Sequence, residues 1–323
     1  MDDGLSHSRP LILPPLTRLR FRLRALDAIR LPAYSGSAWR GLLGHGLRRT
    51  ACVTRAPRCD GCLLLNHCVY ASLFETHAPL GVDTKRFAAS PRPYVLDLNP
   101  TAPREIAVGD SLEPGIVLIG GASQQVPYLI HAMQHAGDRG LGRDRGRFAL
   151  GALDRESEPG SGDWLTVYDS AEGRYEPLEI PVAMAPPAPT SVRITLVTPL
   201  RIKRHGHFLR PGDFSAVDFL LNLCARLRLL AEHHGGDPAA LEWTRLHNGA
   251  ERIELCNCCL RWHDWTRWSS RQDTLMQMGG LLGSFELAGP DLPSFWQALM
   301  YGQWVHAGKG TTFGLGGYRL DPA

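Results

Sequence analysis

The chain has 323 residues, 44% of them hydrophobic, enough for two domains of ordinary size, each with its own core. Its 35 Lys+Arg against 32 Asp+Glu leave a formal charge of +3 at pH 7, too mild to assign a partner by itself, although arginine far outnumbers lysine. No apolar run approaches the roughly 20 residues of a membrane span, and the start, Met1-Asp2-Asp3-Gly4, has neither a basic nor an apolar leader segment, so a soluble, cytoplasmic chain is expected.

In chain order, alternation predicts a strand over Thr17 to Ile29, followed by a helix from Ser35 to about Cys52. Within that helix Tyr34-Ser35-Gly36-Ser37-Ala38-Trp39-Arg40-Gly41 leads to His45, which Gly44 and Gly46 flank. Each glycine costs about 1 kcal/mol relative to alanine in a helix interior, so something must approach that face closely. His45 can serve as a general acid or base near neutral pH, with Arg40, Arg48 and Arg49 to hold phosphate.

Next comes C-x6-C-x2-C-x5-C, formed by Cys52, Cys59, Cys62 and Cys68. Without a secretion signal, thiols at this spacing read as metal ligands. The paired x2 thiolates chelate one centre and the loop supplies the others, which suits tetrahedral zinc or a 4Fe-4S cluster. The text from Cys52 to Cys62 resembles the iron-sulfur loop of helix-hairpin-helix DNA glycosylases, which leans toward the cluster. Four protein ligands leave no open position, so the centre is expected to be structural. Cys224, Cys256, Cys258 and Cys259 read as packing residues.

Strands are predicted at Tyr94 to Leu98 and Ile116 to Gly120, a helix at Tyr128 to Ala136, and a strand after Arg147. The intervening loop carries Arg143, Arg145 and Arg147 among glycines, but its G-x-G-x-x-x-G spacing misses the dinucleotide fingerprint. The Pro-rich stretch Ala183 to Pro189 is the best linker, with a boundary near residue 188. Beyond it the order repeats: a strand over Ser191 to Lys203, a helix from Asp213 to His233, strands at Ile253 to Trp268 and Gly280 to Leu287, a helix over Leu292 to Val305, and a closing strand over Thr311 to Leu320. His135-Ala136-Gly137 and His306-Ala307-Gly308 each end a predicted helix and open a basic, glycine-rich loop, which supports a duplication.

The second of these loops, Gly308-Lys309-Gly310-Thr311-Thr312-Phe313-Gly314-Leu315-Gly316, lacks the spacing of a Walker motif. Its glycines would let backbone N–H groups reach a phosphate, with Lys309 adding charge and the threonines hydroxyls. Arg261, His263, Arg267 and Arg271 interleave with Trp262, Trp265 and Trp268, guanidinium groups beside aromatic planes as a single-stranded nucleic acid requires. The indoles read equally well as core.

These segments, together with Thr198 to Lys203, Trp268 to Gln272, Met278 to Gly283 and His306 to Gly316, resemble in order and spacing the CRISPR-associated endoribonucleases of the RAMP superfamily, nearly end to end. The resemblance implies an α+β protein of two tandem ferredoxin-like (RRM-like, βαββαβ) domains, residues 1–187 and 188–323, the first with a four-cysteine insertion at about 52–75. It implies binding of the CRISPR repeat stem-loop and cleavage of the precursor by the ribose 2′-OH without a catalytic metal, leaving a cyclic phosphate. It further implies retention of the mature RNA, contact with other CRISPR effector subunits, and a prokaryotic cytoplasm. His45 becomes the leading catalytic candidate, with Tyr34, His306 and Lys309 as partners and Lys203, Gly308, Gly310, Thr311, Thr312, Gly314 and Gly316 joining the arginines in binding RNA. A non-cleaving subunit that caps the guide RNA is the alternative; a DNA-repair role rests on the cysteine loop alone.

Overall fold

The computed structural model describes residues 11–75, 90–177, 186–269 and 274–322. Strand β1 (Leu16–Ala25) turns Leu19, Phe21 and Leu23 into the core while Arg18, Arg20, Arg22 and Arg24 take the other face. Helix α1 (Gly36–Ala51) follows, then the short α2 (Val69–Phe74), β2 (Tyr94–Asp97), β3 (Gly115–Ile119), α3 (Val126–Arg139), β4 (Phe148–Glu156) and β5 (Trp164–Asp169). The strands pair antiparallel in the order β2-β3-β1-β4-β5, extended by Arg174–Tyr175.

The second half contains β6 (Ser191–Leu200), α4 (Ala216–His234), α5 (Trp243–Ala250), β7 (Glu254–His263), β8 (Gly280–Ala288), α6 (Leu292–Val305) and β9 (Tyr318–Pro322). Its sheet runs β7-β8-β6-β9, again antiparallel. In both sheets the first strand lies between the third and fourth of the main strands. The protein is thus a mixed α+β fold built on two antiparallel sheets. Helix ends obey local chemistry: Ser215 caps α4 by accepting from the Asp218 N–H at 3.1 Å, and Gly235 ends it at φ 94°. Arg226 closes α6 from outside, its Nε donating to the carbonyls of Val305 and His306 at 3.0 and 3.1 Å.

The two halves share apolar interior. On the first sheet Leu96, Ile116 and Leu118 face α1 and α3, whereas Leu16, Val95, Val117 and Ile119 belong to the core of the second half, with Phe219 and Leu223 of α4, Leu299 of α6 and Phe285 of β8. Backbone also docks across the seam. Gly120, at φ 59°, has room for no side chain because a Cβ would lie 2.0 Å from the His234 carbonyl. The Pro-rich linker reaches beyond the described residues at 183–185, and its Pro186 carbonyl accepts from Trp296 Nε1 at 2.7 Å. Among the described residues no helix is long and apolar enough to cross a membrane.

Most elements lie where periodicity places them. Three differ. α3 runs through Gly137 to Arg139, since the chain turns only at Gly140 (φ 82°), while Gly137 lets the Phe148 carbonyl approach to within 2.2 Å of a would-be Cβ. The closing strand begins at Tyr318, not Thr311, because Thr311–Phe313 is a 3-10 turn between left-handed Gly310 and Gly314. Cys258 and Cys259 are exposed, not packed: Asn257 (φ 44°) opens a bulge between Cys256 and Cys259 that breaks the strand's alternation. Cys224 is buried in α4, which pushes its thiol up to about 12.

Because Val117 sits in the core of the opposite half, Val117→Ala should lower the stability of the whole chain by roughly 1–3 kcal/mol while calorimetry still shows one transition. Two separated transitions would mean that the halves fold independently.

Candidate active site and nucleic-acid interface

Helix α1 has no acidic residue in its first turn and carries Arg48 and Arg49 in its last, where the helix dipole favours cations. Its start is pinned by the other half of the chain. The Tyr34 hydroxyl donates to the Phe313 carbonyl at 2.7 Å, and Gly36 is bare there because a Cβ would lie 2.0 Å from that same oxygen. Trp265 packs on the Tyr34 ring at 4.6 Å, and the Arg40 guanidinium lies 4.9 Å from the Phe313 ring and 5.4 Å from Phe74. Burial raises the Tyr34 phenol above its ordinary range.

Three turns along, the exposed His45 stands on a face that packing has stripped bare. The glycines beside it leave space for the protein, not for a ligand. A Cβ on Gly44 would meet the Phe74 ring at 2.8 Å, and one on Gly46 the Ala132 carbonyl of α3 at 2.2 Å. The latter contact lets α1 and α3 close until Arg139, the last residue of α3, acts on His45. Partial burial, then Arg139, then Arg48, hold the imidazole below its ordinary pKa, so it is neutral at pH 7. An imidazole held neutral by burial and by nearby guanidinium charge is equipped to take a proton beside an anion. Arg139 is the residue that the sequence candidates lack: the spacing ends the helix at Ala136, whereas α3 continues to Arg139, from where its charge reaches His45.

The loop beyond Arg139 is a tight hairpin in which Leu141 and Gly146 exchange backbone hydrogen bonds at 2.9 and 3.0 Å. It lies on the connection between β1 and α1, with Gly142 against the Arg30 carbonyl and Gly146 against that of Ala28. Arg143, Arg145 and Arg147 are exposed; Arg147 also pairs with Asp27 at 2.8 Å. By contrast, Arg18 and Arg20 of β1 are paired with carboxylates: Arg18 with Asp97 and Glu156 at 2.6 and 2.8 Å, and Arg20 with Asp154 at 3.0 Å.

The second glycine loop is largely committed to the chain itself. The N–H groups of Gly308, Lys309, Gly314 and Gly316 donate to Asn222 Oδ1 and to the carbonyls of Arg201, Thr311 and Pro199. Gly314 packs against the Leu96 carbonyl of the first half, and Gly316 (φ 76°) has no space for a Cβ, which would sit 1.8 Å from the Ala307 carbonyl. Thr311 and Thr312 are buried, Gly308 and Gly310 part-buried, and the Lys309 side chain is exposed. The phosphate cradle expected of these four N–H groups is therefore closed from within. His306 is 6% exposed and takes φ 60°; its Nδ1–H donates to the Leu315 carbonyl at 3.1 Å, and burial pushes its pKa down to about 4.

The structure therefore separates the candidates into groups. His45, Arg48 and Arg139 gather on one face. Tyr34 and Arg40 join Phe313 at the seam, where the Tyr34 hydroxyl is committed to the Phe313 carbonyl before the first turn of α1, whereas His45 lies in its third turn. His306 lies inside the second half. Lys203 belongs to a short ribbon with Phe208, its ammonium 4.8 Å from that ring. Trp262 carries the Arg210 guanidinium at 3.7 Å and donates to Asp264 at 2.7 Å. The backbone of Arg267 lies in a strand, but its side chain, and Arg271 as a whole, lie outside the described residues. The thiols of Cys52, Cys59, Cys62 and Cys68 line one cavity just past α1.

Two family models match the chain. Residues 13–180 match the family model AF_1859_N, described as an N-terminal domain, and residues 194–318 match that of CRISPR-associated endoribonuclease Cas6. An uncharacterized protein of Archaeoglobus fulgidus is 26% identical over 126 residues, 39% of this chain and 42% of that protein, so the match spans less than half of its length. Among solved structures, a chain of a partial Cas6-RT-Cas1–Cas2 complex superposes with a TM-score of 0.56 at 16% identity, covering 96% of this chain and 46% of that one. A Cas6 product complex gives 0.56 at 14% identity, over 95% and 100%.

A histidine whose folded pKa lies below its unfolded value of roughly 6.5 contributes stability above that value and loses it as pH falls, because the unfolded chain binds the proton more readily. For His306 the window is about 6.5 down to about 4. Urea unfolding should show stability declining through that range, and the decline should be shallower in His306→Gln. Equal slopes would remove His306 as the cause.

Proposed function

We propose that the chain, whose residues 194–318 match the model of CRISPR-associated endoribonuclease Cas6, is a Cas6-type enzyme that binds the CRISPR repeat stem-loop and cuts the precursor RNA beside it, retaining the mature guide. The observation that carries this reading is the exposed imidazole of His45 on α1, whose pKa is held below its ordinary value by partial burial and by the charges of Arg139 and Arg48. Cleavage by the neighbouring ribose 2′-OH requires a base for that hydroxyl and cations for the charge that develops on phosphorus, and this face carries both without a catalytic metal. Neutral His45 takes the 2′ proton. Arg48 and Arg139 stabilise the pentacoordinate phosphate, which collapses to a 2′,3′-cyclic end as the 5′ oxygen leaves and takes a proton from water to become a 5′-OH.

The remaining candidates serve binding and position. Arg49, Arg143, Arg145 and Arg147 extend the cationic surface from the last turn of α1 to the hairpin after α3, and Lys203 and Lys309 supply charge from the second half, with Arg267 and Arg271 assigned there by sequence. Tyr34 and Arg40 hold α1 against the glycine loop. Gly308, Gly310, Thr311, Thr312, Gly314 and Gly316 shape that loop, and His306 holds its base. The equivalent strand order of the two sheets supports tandem ferredoxin-like domains, and the solved Cas6 product and Cas6-RT-Cas1–Cas2 complexes suit RNA and other CRISPR proteins as partners. A prokaryotic cytoplasm is the setting such substrates require.

With end-labelled repeat RNA in EDTA, the wild-type chain should cut once and leave a cyclic end. His45→Ala should cut ~10²- to 10⁴-fold more slowly with RNA affinity changed by less than about threefold. Since a base works only when neutral, the rate should rise with pH along a limb whose midpoint lies below the ordinary histidine value of roughly 6.5. Cleavage by His45→Ala at the wild-type rate would sink this assignment and favour a non-cleaving guide-RNA subunit.

A further inference from the structure

Cys52 ends α1, its N–H donating to the Arg48 carbonyl at 2.9 Å, and Cys68 precedes α2, its carbonyl accepting from the Ser72 N–H at 2.9 Å. Between them Cys59 and Cys62 share a turn in which the Cys62 N–H donates to the Cys59 carbonyl at 3.1 Å and Gly61 is left-handed at φ 75°. The four residues come from separate points of the chain and line one cavity of about 190 Å³, with Thr54 and Arg58 on its wall. The Thr54 hydroxyl lies 3.9 Å from Cys52 Sγ and 3.8 Å from Cys62 Sγ, so it joins the first thiol to the third. Among the described residues no three His, Cys, Asp or Glu side chains already converge as a metal cage; the thiols stand around the cavity wall.

From this arrangement we propose that Cys52, Cys59, Cys62 and Cys68 bind one thiophilic metal centre, zinc or an iron-sulfur cluster, that ties the end of α1 to the start of α2. Four thiolates and no other ligand make either centre coordinatively closed, so its work is structural. Its consequence is local. α2 carries Phe74, whose ring covers Gly44 beside His45 and lies 5.4 Å from the Arg40 guanidinium, and Tyr70, whose ring lies 5.6 Å from the Arg48 guanidinium. A centre that fixes α2 therefore fixes the side chains that border the His45 face. The turn between the helices is short of interior to hold it otherwise: Val53 is 81% and Leu63 97% exposed. The proposal stands apart from the ribonuclease reading, because metal content is measured without RNA.

The test is elemental analysis and visible absorption of the full chain purified without oxygen or chelator, beside Cys59→Ser/Cys62→Ser and, as a control away from the cavity, Cys258→Ser/Cys259→Ser. One centre per wild-type and control chain, lost in the first variant, is expected; zinc without colour, or iron and sulfide with a broad visible band, would each support the proposal and identify the metal. Should that variant not fold, alkylation of the folded wild type decides. The four cavity thiols should stay at least tenfold slower to react than Cys258 until the metal is stripped, and become reactive afterwards. A wild-type chain with no more metal than the variant, or cavity thiols that react at once in the folded protein, would overturn it.

Discussion

One close approach orders the molecule: the Phe313 carbonyl meets the start of α1, where Gly36 offers no Cβ and the Tyr34 hydroxyl donates to it at 2.7 Å. A glycine-rich loop makes such contacts because it presents backbone where side chains would stand between. The loop keeps its shape through left-handed turns at Gly310, Gly314 and Gly316 and through the buried His306 beneath it. With the apolar seam around Val95, Val117 and Ile119, the contact makes the second half a foundation for the first. The helix that carries His45 is thus held at one end by a loop more than 260 residues away in sequence.

Charge is sorted by the same architecture. Arginines on the open face of β1 meet Asp97, Asp154 and Glu156 from neighbouring strands and serve cohesion. Those at the ends of α1 and α3, and in the hairpin after α3, reach toward solvent, and Arg48 and Arg139 among them act on the His45 imidazole. The mild overall charge therefore conceals a local excess, and a phosphate backbone responds to the local field.

Strong periodicity made most of the fold legible. α6 spans Leu292–Val305 as the apolar spacing predicts, and the strand-helix order of both halves reads directly. What could not be read depends on partners far along the chain. Gly44 and Gly46 leave room in the sequence, and only the structure shows Phe74 and the Ala132 backbone filling it. Tyr34 looks like a catalytic phenol until its acceptor on Phe313 is seen. The bulge at Asn257, which exposes Cys258 and Cys259, and the short α5 have no periodic signal of their own. The cysteine spacing stood out in the sequence; that its thiols surround one cavity beside the His45 helix did not.

The most direct measurement is the structure of the full chain bound to repeat RNA made uncleavable by removal of the 2′-hydroxyl at the cut. The account predicts the scissile phosphate within hydrogen-bonding reach of the Arg48 and Arg139 guanidinium groups, with the modified ribose facing His45. A scissile phosphate seated at the glycine loop beside His306, with α1 remote from the RNA, would contradict it.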